Sequence, residues 1–415
     1  MTENIEGPRD YDAVLGGINI IPATGVVLGG IAGVKRRFAS TVAEHRCAAV
    51  KEAEKYGKAG LEIAIKALED EAELVQKTAY LQLRERKEPE VREVLRSLNF
   101  YRFFECLDTI KAGEQITLSS TGAKAAFLAS NRNIKKVDLT NIKLLYEIPK
   151  YPRNQQSFVI SSDGEILARG IKGTRNFVEI WQGGELQHSL YGHEGEIRAI
   201  AISPDRQTIA TGGDDKSIKI WDINSGKLIF NINPSLMWGT HKTAIIRLAF
   251  SPNGKIIISS DGSRAIKLWN WHNKSEPRTF NLFGYSIAIS PDGQMLAAAS
   301  YGGTIKILTL DGEVINILEG HSNAVHCMAF SPIPPFPPSQ GGLPPFPPSQ
   351  GGLGGILATG GSHQPQINFW NVRTGELLHS LTGHNSLVNC LAFSPDGQSL
   401  ISGSGDKTIK VWGVE

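Results

Sequence analysis

The residues best suited to chemistry in this 415-residue chain are histidines that keep a fixed distance from a hydroxyl and a carboxylate. His193 is followed by Thr211 after 18 residues and by Asp215 after 22, and His384 stands in the same relation to Ser402 and Asp406. A histidine, a hydroxyl and a carboxylate are the parts of a nucleophilic triad. Here, however, the set recurs, and each copy closes on a tryptophan, Trp221 or Trp412. A catalytic triad is not built once per repeated unit, so the recurrence assigns these groups to structure. No glycine-rich phosphate loop, H-x-x-x-H, paired-acid motif or nucleophile elbow accompanies them, and no cofactor or metal is expected. The four cysteines, Cys47, Cys106, Cys327 and Cys390, lack paired spacing and lie in apolar runs. They are expected to be buried free thiols, as suits a reducing cytoplasm.

The elements that must hold these residues are short and repeated. Seven stretches end on Trp-Asp or a decayed form of it, at Val137, Trp181, Trp221, Trp269, Leu308, Trp370 and Trp412. Successive positions lie 44, 40, 48, 39, 62 and 42 residues apart. Ahead of several stands Gly192-His193, Gly320-His321 or Gly383-His384, with Thr240-His241 as a variant. Between pair and tryptophan lies a turn of the kind Ser251-Pro252-Asn253-Gly254, Ser290-Pro291-Asp292-Gly293 or Ser394-Pro395-Asp396-Gly397. Proline presets the first turn dihedral, and Asp or Asn followed by Gly tolerates positive φ. Alternation such as Ile197-Arg198-Ala199-Ile200-Ala201-Ile202 flanks each turn, which predicts strands.

A period near 40 residues, punctuated by Gly-His and Trp-Asp, resembles the WD-repeat family. The resemblance implies a mainly β fold, a seven-bladed β-propeller, here preceded by a small α-helical segment. It also implies a buried hydrogen-bonded set in each blade. By residue type that set is complete as His193, Thr211, Asp215, Trp221 and as His384, Ser402, Asp406, Trp412. The Trp269 blade has Ser263 where the aspartate should stand and the Trp370 blade has Gln364. The Leu308 blade lacks both Trp and His, and the first two blades have neither His nor Asp in register. Because Trp412 lies in a third strand near the end of the sequence, the last blade needs an outer strand. The segment Phe104 to Ile110 matches the fourth-strand segments and is expected to supply it.

Three regions are expected: a Gly-rich apolar arm over 1–39, a helical segment over 40–100, and the propeller over 104–415. Leu61, Ile65 and Leu68, then Val75, Ala79 and Leu83, recur at helical spacing around Glu69-Asp70-Glu71, and Pro89 is placed to start a helix. The segment resembles a single HEAT-type unit, which acts as a brace or as a recruiting surface because one unit cannot cover its own apolar face. The uncharged stretch 13–34 precedes Lys35-Arg36-Arg37, but six glycines, Asn19 and Pro22 oppose membrane insertion. Residues 332–355 hold two identical copies of a ten-residue Pro-rich segment, read as a tolerated duplication or as a polyproline ligand.

With net charge +2 and mixed basic runs, no nucleic-acid partner is expected. The resemblance implies a non-catalytic scaffold for other proteins or peptides, here monomeric, cytoplasmic and without membrane contact. The competing classes are a propeller enzyme with a central-channel site and a nucleic-acid-associated adaptor. The residues placed at the interaction rim are Arg198, Ile246, His326 and Asn389 by repeat position and Trp238 in the longest native loop, where it either anchors a partner or packs beneath the loop.

Overall fold

The computed structural model describes residues 30–414 apart from 114, 130, 150–154, 234–239, 274–275, 333–354 and 363–364. Trp238, Gln364, both Pro-rich copies and most of the apolar stretch 13–34 therefore lie outside the described residues. The chain forms two compact units, one ending at Phe103 and the other beginning at Phe104.

In the first unit the periodic apolar residues build five helices, α1 (Gly30–Phe38), α2 (Ala43–Ala53), α3 (Gly57–Ala67), α4 (Glu73–Leu83) and α5 (Pro89–Ser97). The expected arm over 1–39 is thus helical in its last part. None of the described helices is long and apolar enough to cross a membrane. Val75, Ala79 and Leu83 on α4 are fully buried, and α2 packs on α3 and α4. Pro89 occupies the first turn of α5, where its missing N–H costs no helical bond. The acidic run between α3 and α4 does more than interrupt a helix. Arg46 of α2 reaches Asp70 with Nε and Nη2, each at 2.8 Å, and Asp70 also accepts from the Ala72 backbone N–H at 2.9 Å. A planar guanidinium meeting a carboxylate in this paired geometry fixes angle as well as distance. It ties α2 to the start of α4.

The second unit consists of seven four-stranded antiparallel sheets. Six are consecutive in sequence. The seventh joins Val388–Phe393, Ser399–Ser404 and Thr408–Gly413 to Glu105–Lys111, which pairs with the third of these through Thr109↔Lys410 and Ile110↔Ile409. The segment ahead of the first repeat is therefore the missing outer strand. Backbone pairing explains the arrangement, because an unpaired edge would leave a row of donors and acceptors open to other chains.

The first strands of neighbouring sheets lie against one another: Ile197–Ile202 touches Gln155–Ile160 and Ile245–Phe250, and Ile116–Leu118 touches Val388–Phe393. This contact closes the ring. Core side chains alternate with the strand period and pack between blades, as Ile209, Trp221 and Ile223 do against Ile166, Ile180 and Leu190. Four inner hairpins turn at a Ser-Pro-Asp or Ser-Pro-Asn cluster, beginning at Ser203, Ser251, Ser290 and Ser394. In the third blade Ser203 Oγ donates to Asp205 and accepts from the Thr208 N–H at 3.0 Å, so the side chains pin the turn from both ends.

The buried polar sets and the candidate interaction rim

The two complete sets assemble as their residue types require. His193 Nδ1 lies 2.8 Å from Asp215 and Nε2 lies 2.7 Å from Thr211 Oγ1, while Trp221 Nε1 donates to that same oxygen at 2.9 Å. In the seventh blade His384 meets Asp406 at 2.8 Å and Ser402 at 2.7 Å, and Trp412 donates to Ser402 Oγ at 2.8 Å. The network fixes the roles: Nδ1–H donates to the carboxylate, and the hydroxyl donates to Nε2 while accepting from the indole. Burial pushes Asp215 and Asp406 upward. Hydrogen bonds from His193 to Asp215, and from Thr408, the Asn385 backbone and His384 to Asp406, outweigh it and hold both carboxyls at about 2. Thr211 and Ser402 are 0% exposed and their oxygens are already engaged by an indole N–H. These hydroxyls have no open side from which to attack a substrate.

The Trp269 blade corrects the sequence reading. Ser263 does stand at the turn position, but the acid comes from two residues earlier: Asp261 Oδ2 lies 3.1 Å from His241 Nδ1 with its side chain 0% exposed. The 3.1 Å contact is within ion-pair range but too poorly aligned to count as a hydrogen bond, which leaves His241 Nδ1 without a well-formed partner. Nε2 bonds Ser259 Oγ at 2.6 Å, and Trp269 donates to the same oxygen at 2.7 Å. Ser263 Oγ donates to Asp261 and so supports the substitute. In the Trp370 blade His321, Thr359 and Trp370 keep their bonds at 2.7 and 2.9 Å. Burial draws His241 and His321 down to about 4, against the attraction of Asp261 in the first case.

The second blade replaces the set with an ion pair. Arg169 stands in the register position of Thr211 and Glu179 in that of Lys219. Arg169 Nε donates to Glu179 Oε2 at 2.6 Å, Trp181 Nε1 donates to the same oxygen at 2.9 Å, and Arg169 Nη1 reaches the Pro149 carbonyl at 2.8 Å. With both charges buried, each needs these bonds to offset its desolvation.

The four rim residues named by repeat position share one backbone cause. Arg198, Ile246, His326 and Asn389 are each the extra residue of a β-bulge at the start of an inner strand. A bulge leaves one residue outside the pairing and re-aims its side chain. Arg198 is exposed, and Ile246, His326 and Asn389 are half-buried. Arg198 pairs with Asp214 through Nε and Nη2.

A fifth member went unnamed in the sequence reading. Tyr285 precedes Ser286–Ile289 in the Leu308 blade and donates its backbone N–H to Ala299 O. The signal was available: Arg198, Ile246, Tyr285, His326 and Asn389 each stand five residues before the turn serine. Tyr285 Oη lies 3.4 Å from His326 Nδ1, its ring packs against Tyr301 at 4.4 Å, and the Arg247 guanidinium sits 5.3 Å from its centroid. Among the described residues no group of three or more His, Cys, Asp or Glu could hold a metal ion. Of the cysteines, Cys47 and Cys327 are buried and the Cys390 thiol is enclosed, with burial raising Cys327 well up and Cys390 to about 12. Cys106 departs from the expectation. It is exposed, because the closing strand is outermost and shows this residue to solvent.

The fold and its repeated sets define the class of the molecule, and comparison with known proteins agrees. The model of the family "WD domain, G-beta repeat" matches residues 184–222, 233–270, 285–308, 312–371 and 375–413, and the chain is a seven-bladed WD-repeat β-propeller protein. It is 27% identical over 288 residues to the Periodic tryptophan protein 2 homolog of Dictyostelium discoideum, covering 65% of this chain and 28% of that one. It is 27% identical over 279 residues to the Nuclear distribution protein PAC1 of Coccidioides posadasii (strain C735), covering 54% and 59%. Against Protein FIZZY-RELATED 3 of Arabidopsis thaliana it is 24% identical over 257 residues, covering 61% and 38%. The chain thus spans less than two thirds of each of these relatives.

Proposed function

We propose that this protein is a non-catalytic interaction scaffold whose propeller binds a peptide or protein segment at the bulge residues Arg198, Ile246, His326 and Asn389 together with Tyr285. The carrying observation is that one backbone device, a β-bulge repeated at the start of four inner strands, places Arg198, Ile246, His326 and Asn389, while Tyr285 stands at the same offset just before the fifth-blade inner strand. Cationic, aliphatic, phenolic, imidazole and amide groups held on a rigid ring form a recognition surface rather than a core. The His-hydroxyl-acid sets argue in the same direction, since their buried and engaged hydroxyls serve packing. Loops carried on a rigid scaffold are where binding residues concentrate. The enclosed thiols Cys47, Cys327 and Cys390 support a place in a reducing compartment.

A photo-reactive residue placed at Arg198 or Asn389 should cross-link a partner in native extract, whereas the same residue at the exposed outer-strand positions Leu144 or Val314 should not. Cross-links confined to the outer strands would refute the rim as the binding surface.

A further inference from the structure

We infer that the sector between the fourth and fifth blades binds an acidic side chain, a glutamate or aspartate carboxylate on an extended peptide, through Arg247 with Tyr285 and Tyr301 beside it and Arg264 on Phe283, two residues before Tyr285. This rests on the scaffold reading and names the chemistry that one part of the rim selects.

The charge pattern is the first ground. In the third blade the rim arginine, Arg198, is neutralised by Asp214. The register of the strands puts Gly262 at the Asp214 position in the fourth blade and Tyr301 there in the fifth. The acid is missing where arginines gather. Arg247 follows the bulge residue Ile246, at a place where other blades carry Ser157, Ala199, Cys327 or Cys390. It is half-buried, its Nη1 donates to the Ile246 carbonyl at 2.8 Å, and among the described residues no carboxylate lies within ion-pair distance of it. Asp261, an acid of the same blade, is buried and faces His241 at 3.1 Å. Arginine is not deprotonated in proteins, so this is a partly desolvated cation with no carboxylate counter-ion among the described residues. Removing a charge from water is unfavourable until a partner charge or hydrogen bonds replace the solvent.

The aromatic groups provide the second ground, and they decide the sign of the ligand. An exposed tyrosine cluster alone could equally stack on a ligand cation. Here the faces are occupied by the protein's own cations: Arg247 lies 5.3 Å from the Tyr285 centroid and Arg264 lies 4.2 Å from that of Phe283. A ligand ammonium at the Tyr285 face would meet the Arg247 guanidinium, while a carboxylate would meet its N–H fork and the phenol hydroxyls. Tyr301 is 67% exposed and Phe283 40%, which leaves apolar surface for the residues flanking the acid on a peptide. Arg264 is held in place by its turn, at φ +77°, the same left-handed position occupied by Lys216 and Lys407 in other blades. His326 closes the sector through its contact with Tyr285, and burial followed by the Arg247 charge disfavours its protonation. It stands as a neutral hydrogen-bonding wall.

The test uses the full chain and four pools of ten-residue peptides with randomised flanks and a fixed central Glu, Gln, Lys or phosphoserine. Wild type should bind the Glu pool about tenfold more tightly than the Gln pool and should reject the Lys pool. Arg247→Gln should erase the tenfold preference, and Arg264→Gln or Tyr301→Ser should each reduce it about threefold with melting unchanged. Arg278→Ala, which removes a solvent arginine paired with Asp311 on an outer strand, should leave it intact. Because Arg247 is half-buried, loss of folding in Arg247→Gln would pass the decision to the exposed Arg264 and Tyr301 variants. Equal binding to Glu and Gln, preference for Lys, or an unchanged preference in all folded variants would overturn the inference. Stronger binding to phosphoserine than to Glu would replace the carboxylate with a phosphate. Failure of wild type to bind any pool sinks this inference alone, since the scaffold reading is decided by cross-linking at Arg198 and Asn389.

Discussion

In the third, fourth, sixth and seventh blades one hydroxyl oxygen gathers an imidazole and an indole, so truncating the acid that orients the imidazole in the third or seventh leaves a buried donor unpaired. Asp215→Ala and Asp406→Ala should each cost about 1–3 kcal/mol, measured by chemical denaturation. Asp261→Ala should fall in the same range, because its buried carboxylate accepts from the Ser263 and Ala265 backbone N–H groups and the Ser263 hydroxyl while facing His241. Ser263→Ala removes only a hydroxyl that supports Asp261 and should cost less than half as much. A larger loss for Ser263 than for Asp261 would reverse this assignment. The histidines also set a pH response. His241 and His321 titrate near 4 when folded, below the ordinary 6.5, so the unfolded chain takes up protons first as pH falls. Stability should be level between about pH 7 and 8 and decline from about 6.5 to 4, by up to about 3 kcal/mol for each histidine. The aspartates Asp215 and Asp406, near 2 when folded, add a second loss only below about pH 4. Denaturation at pH 7, 5.5 and 4.5 checks the first step, which should shrink in His321→Gln. A flat profile across those three values would contradict the buried neutral state.

Among the elements, the closing strand carries the largest consequence, since a ring of sheets stays closed only while the last sheet has its outer member. Ladder bonds from Glu105–Lys111 cover the edge of Thr408–Gly413, and Lys410 Nζ adds a bond to Thr109 Oγ1 at 2.8 Å. Deleting residues 1–111 should give a chain that aggregates or melts at least about 5 °C lower, whereas deleting 1–103 keeps the strand and should retain the propeller's own transition. Scanning calorimetry with light scattering reads both. The blade turns were legible because Pro, Asp and Gly act locally, and so were α3, α4 and α5, because their apolar period is local too. Arg46 with Asp70 was not legible: the two are 24 residues apart, and nothing in either helix alone says that the acidic run between α3 and α4 folds back onto α2.

For the whole molecule, closure distributes the core between neighbours, so insertions that leave the strands untouched should be tolerated. Replacing residues 332–353 with a four-residue Pro-Asp-Gly turn should leave the melting temperature unchanged or slightly raised, because extra length between two paired strands costs little closure entropy. A fall of several degrees would assign those residues a structural part.

The sequence by itself determined the number of blades, their turns, the two complete polar sets and the need for a closing strand. All of these follow from periods and residue types that act within one repeat. It also marked the bulge positions, since a fixed offset of five residues before the turn serine locates Arg198, Ile246, His326 and Asn389, and the same offset reaches Tyr285. Only the tertiary structure decided which residue completes a set when its usual member is absent. Asp261 reaches His241 because the strand register places it there, and Arg169 with Glu179 fills a position where a hydroxyl would otherwise stand. It alone brought Arg247 beside Tyr285, Tyr301 and Cys327, residues from adjoining blades that share no local pattern. The physical reason is the same throughout: hydrophobic period and turn chemistry are properties of a segment, whereas charge compensation and aromatic contact depend on what closure of the ring sets opposite each side chain.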